Sequence, residues 1–330
     1  MLSKIKAYFR VDASPEIGLG HMMRCIALAH VIRESFQVIF ICKDLPENIA
    51  TELSDNYFPL ERIENLYTIP TKLCSNDIIV LDGYYFDIEY QKRIKAIGCK
   101  LVCIDDLHEQ EYLADLIINH APGVCISDYK AQVYTDFALG LKYALLRPAF
   151  LRQAKMERKL QKIETILICF GGSDNNNLTQ KILAIVLQHT AFEKIIVITG
   201  GAYAHLEGLQ KLIKNEQQIE HHHVIPEKQM LSLMLQAGLA IVPASGLIFE
   251  SLAAGCRVIS GYYINNQMEI YKGFKDLKAV IGAEQFQEED LINALKIAVE
   301  FDPVRVIDGN SPDYLLKKIN MLKNVHTDIS

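Results

Sequence analysis

The chain alternates short apolar runs with longer amphipathic stretches, and this rhythm occurs twice. In the first half, the apolar runs predict β-strands at 6–12, 37–42, 77–82, 100–106 and 113–119. The amphipathic stretches between several of them predict helices at 21–34, 46–54 and 87–97. Near-continuous apolar strands separated by helices are typical of a parallel sheet covered on both faces. The first half therefore has the pattern of a Rossmann-like domain.

The same rhythm restarts after residue 160. Strands are predicted at 165–172, 194–201, 220–225, 239–244 and 257–263. Helices are predicted at 177–190, 203–215, 227–236, 246–254, 266–276 and 288–300. A polar stretch after a proline, 146–164, is the predicted linker. We expect an α/β protein of two Rossmann-like domains, 1–155 and 156–330, with an interdomain cleft. A last helix begins near Ser311 and Pro312, and the pattern does not indicate where it packs.

Composition narrows the classes of function. The chain of 330 residues carries a net charge of −6, which argues against a nucleic-acid partner because such partners need a basic face. Its eight cysteines are scattered, mostly inside apolar runs, and form no CxxC pair, as expected of free thiols in a reducing compartment. The N-terminus has the pattern of a strand rather than a signal peptide, and no run reaches the ~18 apolar residues of a membrane span. We expect a cytoplasmic monomer.

In open α/β sheets, ligands bind at the carboxyl ends of the strands, and the first such loop carries candidate chemistry. Asp12 ends the first strand, Gly18 and Gly20 allow a tight turn, and His21 opens the helix. A helix N-terminus disfavours an imidazolium, so a neutral His21 could accept a proton from water as a general base. Arg24 lies one turn further on the same face. The alternative is that His21 caps the helix and the glycines serve only the turn.

A second loop lies within 169–182, where a strand ends in Gly171 and Gly172 and is followed by Ser173 and Asp174. Free backbone N–H groups at such a helix start favour a phosphate or diphosphate. The loop lacks the Walker lysine and the full GxGxxG, so it supports neither a P-loop nor an NAD site. The alternative is a strand–helix turn rich in capping residues.

Two further loops of the second half could contact a nucleotide-linked sugar. Ser245 and Gly246 open a helix, and Glu250, one turn in, could accept both hydroxyls of a ribose. Asn266 and Gln267 follow another strand, and their uncharged amides could bond a sugar. The alternatives are that Glu250 complements the helix dipole and that the amides form an ordinary N-cap.

In the first half, Asp82 ends a strand and is followed by Gly83, Tyr84 and Tyr85. Tyrosines beside a pocket often stack on sugar faces. The alternative is a turn followed by aromatic residues at an edge.

Two clusters resemble metal sites only superficially. His221, His222 and His223 fall in a predicted strand, so neighbouring rings point to opposite faces and make a poor metal site. Asp105 and Asp106 with His108 lack further ligands. We therefore expect no metal and no cofactor.

The loops taken together closely resemble the signatures of the UDP-sugar hydrolases of pseudaminic acid biosynthesis. The family's opening pattern, Arg-x-Asp-x-Ser, Ile-Gly-x-Gly-His and Arg, is met by Arg10, Asp12, Ser14, Ile17, Gly18, Gly20, His21 and Arg24. The segment 170–179 is similar to the family's Gly-Gly-Ser/Thr-Asp loop. Segments 114–119, 137–150 and 265–267 are also similar to family segments, in the right order.

The resemblance implies a GT-B architecture, related to the N-acetylglucosaminyltransferase that makes lipid II. It implies metal-independent hydrolysis of UDP-2,4-diacetamido-2,4,6-trideoxy-β-L-altropyranose to the free sugar and UDP. The family's catalytic histidine falls on His21, and the uracil site is expected at the backbone of Val224 and Ile225. The expected substrate-binding set is Arg10, Asp12, Gly20, Arg24, Asp82, Tyr84, Gly171, Gly172, Ser173, Asp174, Val224, Ile225, Ser245, Gly246, Glu250, Asn266 and Gln267.

One position departs from the family pattern. Where members often read Asp-His-Tyr, this chain reads Asp82-Gly83-Tyr84. The departure bears on which sugar is bound rather than on hydrolysis.

Two other functions remain open at this point. A GT-B glycosyltransferase would use the same UDP site with a sugar hydroxyl as acceptor in place of water. A non-catalytic nucleotide-sugar binding protein would bind UDP without turnover.

Overall fold

The computed structural model describes residues 4–14, 16–69, 72–156 and 162–324. The contacts within the chain define two compact units. Unit 1 comprises Met1–Arg147 and Asn310–Ser330, and unit 2 comprises Pro148–Gly309.

Unit 1 is built on a seven-stranded parallel sheet with α-helices between its strands. The strands are β1 (Lys6–Val11), β2 (Gln37–Cys42), β3 (Leu60–Arg62), β4 (Ile78–Asp82), β5 (Lys100–Ile104), β6 (Glu111–Tyr112), β7 (Leu116–Asn119), β8 (Lys130–Ala131) and β9 (Asp136–Leu139). The helices are α1 (Gly20–Ile32), α2 (Glu47–Asp55) and α3 (Ile88–Lys95). The order is β3-β2-β1-β4-β5-β7-β9, while β6 pairs with β8 apart from the main sheet.

Unit 2 repeats this plan with a six-stranded parallel sheet, in the order β12-β11-β10-β13-β14-β15. Its strands are β10 (Thr165–Cys169), β11 (Lys194–Thr199), β12 (Ile219–His223), β13 (Leu239–Pro243), β14 (Arg257–Gly261) and β15 (Ile281–Gly282). Its helices are α4 (Pro148–Ala154), α5 (Leu178–His189), α6 (Leu206–Ile213), α7 (Glu227–Gln236), α8 (Gly246–Ala253), α9 (Met268–Asp276) and α10 (Glu288–Ala298).

Apolar side chains on both sheet faces build the core of each unit. In β1, Phe9 packs on one face with α1 while Tyr8 packs on the other, and both are fully buried. Burial on both faces explains why the central strands are continuous apolar runs rather than alternating ones. Each fully buried side chain of this size contributes about 1.5–3 kcal/mol of hydrophobic stabilisation, so the central strands hold each sheet together.

The last helix, α11 (Ser311–Met321), packs on unit 1 rather than on the unit that precedes it in the chain. Leu315 and Ile319 are buried in the core beside α1. The Ser311 hydroxyl donates to the carbonyl of Ala144 at 2.7 Å, and Lys318 Nζ lies 2.6 Å from a carboxylate oxygen of Asp136. The contacts thus divide the chain at 147/148 and 309/310, whereas the sequence pattern placed one boundary at 155/156. Part of the expected linker, 157–161, lies outside the described residues.

The predicted central strands and the helices between them are present, with three kinds of difference. Strands predicted to 172 and 201 end at Cys169 and Thr199, before the glycine pairs. In the first of them, Gly171 adopts a φ of +81° that a strand does not accommodate. The strand predicted at 220–225 ends at His223, before Val224. The short strands β3, β6, β8, β9 and β15 were not predicted, since two to four residues are too few to show a periodicity.

Among the described residues, every helix is too short or too polar to cross a lipid bilayer.

Candidate active site

The carboxyl edge of the unit 1 sheet brings His21 and Asp82 into direct contact. His21 is the second residue of α1, which follows β1, and Asp82 is the last residue of β4, the strand paired with β1. Their side chains meet because the strand order changes direction between these two strands, the point where open α/β sheets bind ligands. His21 Nδ1 lies 2.6 Å from Asp82 Oδ1, and both residues are buried.

This contact selects the tautomer of His21. An unprotonated Nδ1 would place its lone pair against a carboxylate oxygen at 2.6 Å, so Nδ1 carries the proton and donates it to Asp82. Arg24 Nη2 also lies 3.0 Å from Nδ1, but its hydrogen bond goes to Asp82 Oδ1 at 2.6 Å. In the neutral ring, Nε2 is then the proton acceptor. This is the arrangement in which a carboxylate orients a general base.

Arg24 joins this pair to a second carboxylate. Its Nε and Nη2 donate to the two oxygens of Asp82 at 2.6 Å each, and its Nη1 donates to Asp106 Oδ2 at 2.9 Å. Burial opposes ionisation of Asp82, but Arg24 and His21 hold its pKa below the ordinary value. Burial likewise disfavours the charged guanidinium, yet Asp82 and Asp106 raise the Arg24 pKa well above its usual range. Asp82 and Arg24 thus hold His21 in place, and their predicted contact with substrate stays a prediction.

Tyr84 lies beside His21 at the surface of unit 1. Its side chain is 49% exposed, and its ring meets the imidazole edge-on with 4.7 Å between centroids. Its hydroxyl donates to Asp106 Oδ2 at 3.1 Å, which anchors the ring. An exposed aromatic face next to the proposed base suits the predicted stacking on a sugar.

A cavity of about 180 Å³ opens next to these residues, lined by Arg24, Gly83, Tyr84 and the apolar side chains of Leu81 and Phe86 among others. Gly83 has a φ of +154°, and a Cβ at this position would lie 3.1 Å from the ring of Tyr85. A side chain at position 83 would therefore have to displace an aromatic ring next to the cavity. Gly83 thus keeps this wall of the cavity free of a side chain.

Arg10 and Asp12 form a separate buried pair behind the loop. Arg10 is fully buried, and its Nη1 donates to Asp12 Oδ2 at 2.8 Å. Asp12 also accepts from the Tyr85 hydroxyl at 2.5 Å and from the backbone N–H of Lys43 at 2.5 Å. These bonds tie the ends of β1 and β2 to the loop after β4. Both side chains thus stabilise the loops of the site from behind. Their predicted contact with substrate stays a prediction.

The loop before His21 faces open space. Gly18 has a φ of +82°, and Gly20 begins α1. A Cβ built at either glycine would meet no atom of the described residues within 4 Å. The predicted approach of a ligand to the backbone here is therefore sterically open.

Asp106 is a member of the site that the sequence reasoning did not select. The sequence pattern groups it only with Asp105 and His108, as a weak metal cluster. In the structure, Asp105 accepts from the hydroxyl of Tyr112 at 2.6 Å and from the backbone N–H of His108 at 2.8 Å, so its role is structural. Asp106 instead holds Arg24. Its place just after β5, next to β4, was the available signal. No group of three His, Cys, Asp or Glu side chains within the described residues is arranged to hold a metal ion.

In unit 2, the loop after β10 presents backbone rather than side-chain charge. Gly171 has a φ of +81°, and Asp174 folds back with a φ of 44°. Its carboxylate accepts the N–H groups of Leu178 and Thr179 at 2.8 Å each, so Asp174 caps α5. Burial raises the Asp174 pKa, against the effect of these hydrogen bonds. The N–H groups of Leu178 and Thr179, the first two of α5, are therefore satisfied internally, and we expect a diphosphate to be bound by the backbone before them.

The loop after β11 packs against the loop after β10, and the loop after β12 is bonded to the end of β11. A Cβ at Gly200 would lie 2.4 Å from the carbonyl oxygen of Gly172, so only glycine allows this backbone contact. Val224 adopts a φ of 53°, which is unfavourable for a β-branched residue, and its N–H donates to the Thr199 carbonyl at 3.0 Å. The Val224 amide is thus used within the protein. The predicted uracil contacts at this loop would have to come from the Val224 carbonyl and the backbone of Ile225.

The remaining predicted residues also follow strands at the carboxyl edge of unit 2. The Ser245 hydroxyl caps α8 by accepting from Leu247 N, and Gly246 is the first residue of that helix. Glu250 is buried one turn into α8. Gln267 is buried and accepts from the backbone N–H of Tyr263 at 3.1 Å, while Asn266 lies in the same short 3₁₀ helix. The predicted residues of unit 2 thus lie along one edge of its sheet.

Comparison with known proteins bears on both fold and family. No family model matches the chain. It is 28% identical over 268 residues to the UDP-2,4-diacetamido-2,4,6-trideoxy-β-L-altropyranose hydrolase of Campylobacter jejuni, over 80% of this chain and 93% of that protein. It is 26% identical to the spore coat polysaccharide biosynthesis protein SpsG of Bacillus subtilis, over 89% of each. The match to the uncharacterised protein MJ1062 of Methanocaldococcus jannaschii, at 27% identity, covers 80% of this chain but only 57% of that protein. The predicted resemblance to the UDP-sugar hydrolases is confirmed.

Solved structures with the same architecture include MurG of Acinetobacter baumannii, with a TM-score of 0.61 at 14% identity over 96% of this chain and 99% of that chain. They also include the calicheamicin glycosyltransferase CalG4, with a TM-score of 0.63 at 11% identity over 99% and 100%. The predicted α/β fold of the GT-B kind is confirmed.

Proposed function

We propose that this protein is an enzyme that hydrolyses a UDP-linked diacetamido-trideoxy sugar at C1, releasing the free sugar and UDP. The relatives support a UDP-sugar substrate, since one of them is named as the hydrolase of such a compound. The observation that carries the proposal is the buried contact of 2.6 Å between His21 and Asp82. It holds the imidazole in the tautomer that accepts a proton at Nε2.

In the proposed reaction, a water molecule attacks C1 of the sugar and His21 Nε2 takes its proton. The bond between C1 and the β-phosphate oxygen breaks, and its electron pair leaves with UDP. Asp82 accepts the Nδ1 hydrogen bond throughout and stabilises the imidazolium that forms. The product sugar first appears with inverted configuration at C1, because water attacks opposite the leaving group.

The leaving group is assigned to unit 2. The backbone of Gly171, Gly172 and Ser173 would donate to the diphosphate, and Glu250 would accept the ribose hydroxyls. Fixed backbone donors stabilise developing negative charge without a metal.

The sugar is assigned to unit 1, at the surface of Tyr84 and the adjacent cavity. The cavity combines apolar walls, such as Leu81 and Phe86, with the polar groups of Arg24 and Gln110. A sugar with a methyl group and acetamido groups offers both kinds of surface. The Tyr84 ring would cover one face of the sugar beside His21.

The test is to incubate the protein with a panel of UDP-sugars in the absence of any acceptor and to follow the anomeric protons by NMR. We expect release of UDP together with free sugar, first in the inverted configuration. UDP release that occurs only after addition of a sugar acceptor would favour a glycosyltransferase. Binding of UDP-sugars without turnover would favour a non-catalytic binding protein.

A further inference from the structure

A chain of four hydrogen-bonded side chains runs along the edge of unit 2 and ends at the exposed His223. β12 is an edge strand, and His221 and His223 lie on the same face of it. Gln210 Nε2 of α6 lies 3.1 Å from His221 Nδ1. His221 Nε2 lies 2.9 Å from Thr199 Oγ1, and that hydroxyl lies 3.0 Å from His223 Nδ1.

The chemistry of these groups fixes which of them donates and which accepts in each hydrogen bond. An amide nitrogen only donates, so Nδ1 of His221 accepts from Gln210 and its proton lies on Nε2. That N–H donates to Thr199 Oγ1, whose own hydrogen is then directed to Nδ1 of His223. Burial, followed by the neighbouring histidines, lowers the His221 pKa, in keeping with a neutral ring. His223 therefore carries its proton on Nε2 and has an N–H donor on the ring edge away from Thr199.

His223 is next to the loops assigned to the nucleotide. Val224 follows it in a left-handed conformation, with a φ of 53°, and donates to the carbonyl of Thr199. A Cβ at Gly201 would lie 3.4 Å from Val224 Cγ2, and Gly200 is in backbone contact with Gly172. The bond from Val224 to Thr199, and the bond of 3.1 Å from the N–H of Ala202 to the carbonyl of Gly172, link His223 to the glycine loop along one edge of the sheet. Strained backbone of this kind tends to persist at functional sites.

We propose that His223 determines the base specificity of the nucleotide site by donating its Nε2 hydrogen to the O4 carbonyl oxygen of a uracil ring. Uracil has a carbonyl at position 4, where cytosine has an amino group. A fixed donor is complementary to the former and would face another donor in the latter. The proposal rests on the proposed function, which places a uridine nucleotide at this edge. Gln210, His221 and Thr199 act as positioning residues that hold the ring of His223 in one tautomer.

The same strand provides a matched control residue, His222. Its ring points to the opposite face of β12, where Nε2 lies 2.7 Å from Glu220 Oε1 and Nδ1 lies 3.3 Å from Gln229 Nε2. Replacing His222 removes a histidine from the same strand without touching the chain of Thr199 and His223.

The experiment is calorimetric titration of the full chain with UDP and with CDP, comparing wild type with His223→Ala and His222→Ala. Wild type should bind UDP more tightly than CDP. His223→Ala should lose about tenfold in UDP affinity, the value of one hydrogen bond of ~1.4 kcal/mol, with little change for CDP. His222→Ala should behave as wild type. Thr199→Val should lose part of the discrimination, and Thr199→Ser, which keeps the hydroxyl, should retain it.

Two results would overturn the inference while leaving hydrolysis untouched. One is an unchanged ratio of UDP to CDP affinity in His223→Ala. The other is a wild-type preference for CDP, which would mean that the chain runs in the opposite direction and that His223 presents an acceptor. Absence of any nucleotide binding by folded wild-type protein would overturn the proposed function itself. Because binding is measured without turnover, the two failures are distinguishable.

Discussion

Units 1 and 2 share the central strand order of a Rossmann-like sheet but differ in what they place at its carboxyl edge. Unit 1 fills that edge with charged side chains in contact, where Arg24 bridges Asp82 and Asp106 beside His21. Unit 2 presents glycine loops, and the carboxylate that follows the first of them, Asp174, caps α5.

The difference matches two kinds of chemistry. Proton transfer needs a titratable group held in one tautomer, which requires a network of charges around it. Binding a diphosphate needs several N–H donors at close range, which requires backbone that no Cβ obstructs. One fold can therefore supply the base and the anion site by changing only its loops. The predictions that follow test whether the two edges are divided in this way.

The largest effect is expected from Asp82→Asn. The change removes the carboxylate that fixes the His21 tautomer and leaves Arg24 with one carboxylate partner, Asp106. We expect kcat to fall on the order of 10⁴-fold, as when the carboxylate that orients a catalytic imidazole is neutralised. UDP affinity should stay within twofold of wild type, about 0.4 kcal/mol, because the nucleotide is assigned to unit 2. Steady-state kinetics and calorimetry on the same preparation measure both. A kcat near that of wild type would show that Asp82 does not orient a base.

A smaller effect is expected from Glu250→Ala in unit 2. Loss of a carboxylate that accepts ribose hydroxyls should weaken UDP binding by about 1.5–3 kcal/mol, the range for hydrogen bonds to charged groups. Calorimetric titration with UDP measures the change. Glu289, an exposed glutamate in the first turn of α10, gives the control as Glu289→Ala. Equal UDP affinity in both variants would remove Glu250 from the nucleotide site and weaken the division between the units.

Acid should destabilise unit 1 through His120, which is buried, and His30, which is half-buried. Burial, followed by the charge of Arg24, lowers the His120 pKa from 6.5 to about 3, and burial lowers that of His30 from 6.5 to about 4. Between pH 6.5 and these values the unfolded chain binds more protons than the folded one, so the free energy of unfolding decreases as pH falls. The slope is up to ~1.4 kcal/mol per pH unit for each histidine.

Urea unfolding at a series of pH values measures this slope. His120 Nδ1 accepts from the backbone N–H of Leu145 at 3.0 Å, so His120→Gln can keep an acceptor while removing the titration. The variant should show a shallower decrease below pH 6.5 than wild type. The same pH profile in both proteins would show that His120 is not buried in its neutral form.

No effect is expected from removal of divalent cations. Turnover with and without excess chelator should agree, since the anion site is assigned to backbone donors. A large loss that magnesium or manganese restores would place a metal at the diphosphate and remove the need for the glycine loop as its main partner.

The sequence pattern sufficed for the central strands, because residues buried on both faces of a parallel sheet form uninterrupted apolar runs. It also identified His21, Arg24 and Asp82 as candidates, since each follows or ends a strand at the expected edge. It could not reveal that His21 and Asp82 touch, because they lie 61 residues apart and meet only through the pairing of β1 with β4. Neither could it show where α11 packs, since an amphipathic helix fits either unit.

The position of a polar residue in the fold was easier to predict than the partner to which its side chain is bonded. Asp174 lies in the predicted loop, yet both its oxygens are used by α5. Arg10 fits the family pattern and is fully buried. In each case the side chain can bond either to the protein or to a ligand. The sequence contains no information on which bond forms, since that depends on the folded positions of the backbone N–H and carboxylate groups.

The central claim is that His21 is the base, and His21→Asn tests it most directly. Asparagine keeps a polar side chain of similar reach near Asp82 but cannot take a proton from water. With a UDP-sugar that wild type hydrolyses, kcat should fall about 10²–10⁴-fold, the usual contribution of a general base. UDP affinity, measured by calorimetry on the same sample, should be unchanged. Near-normal release of UDP and free sugar by folded His21→Asn would contradict the account.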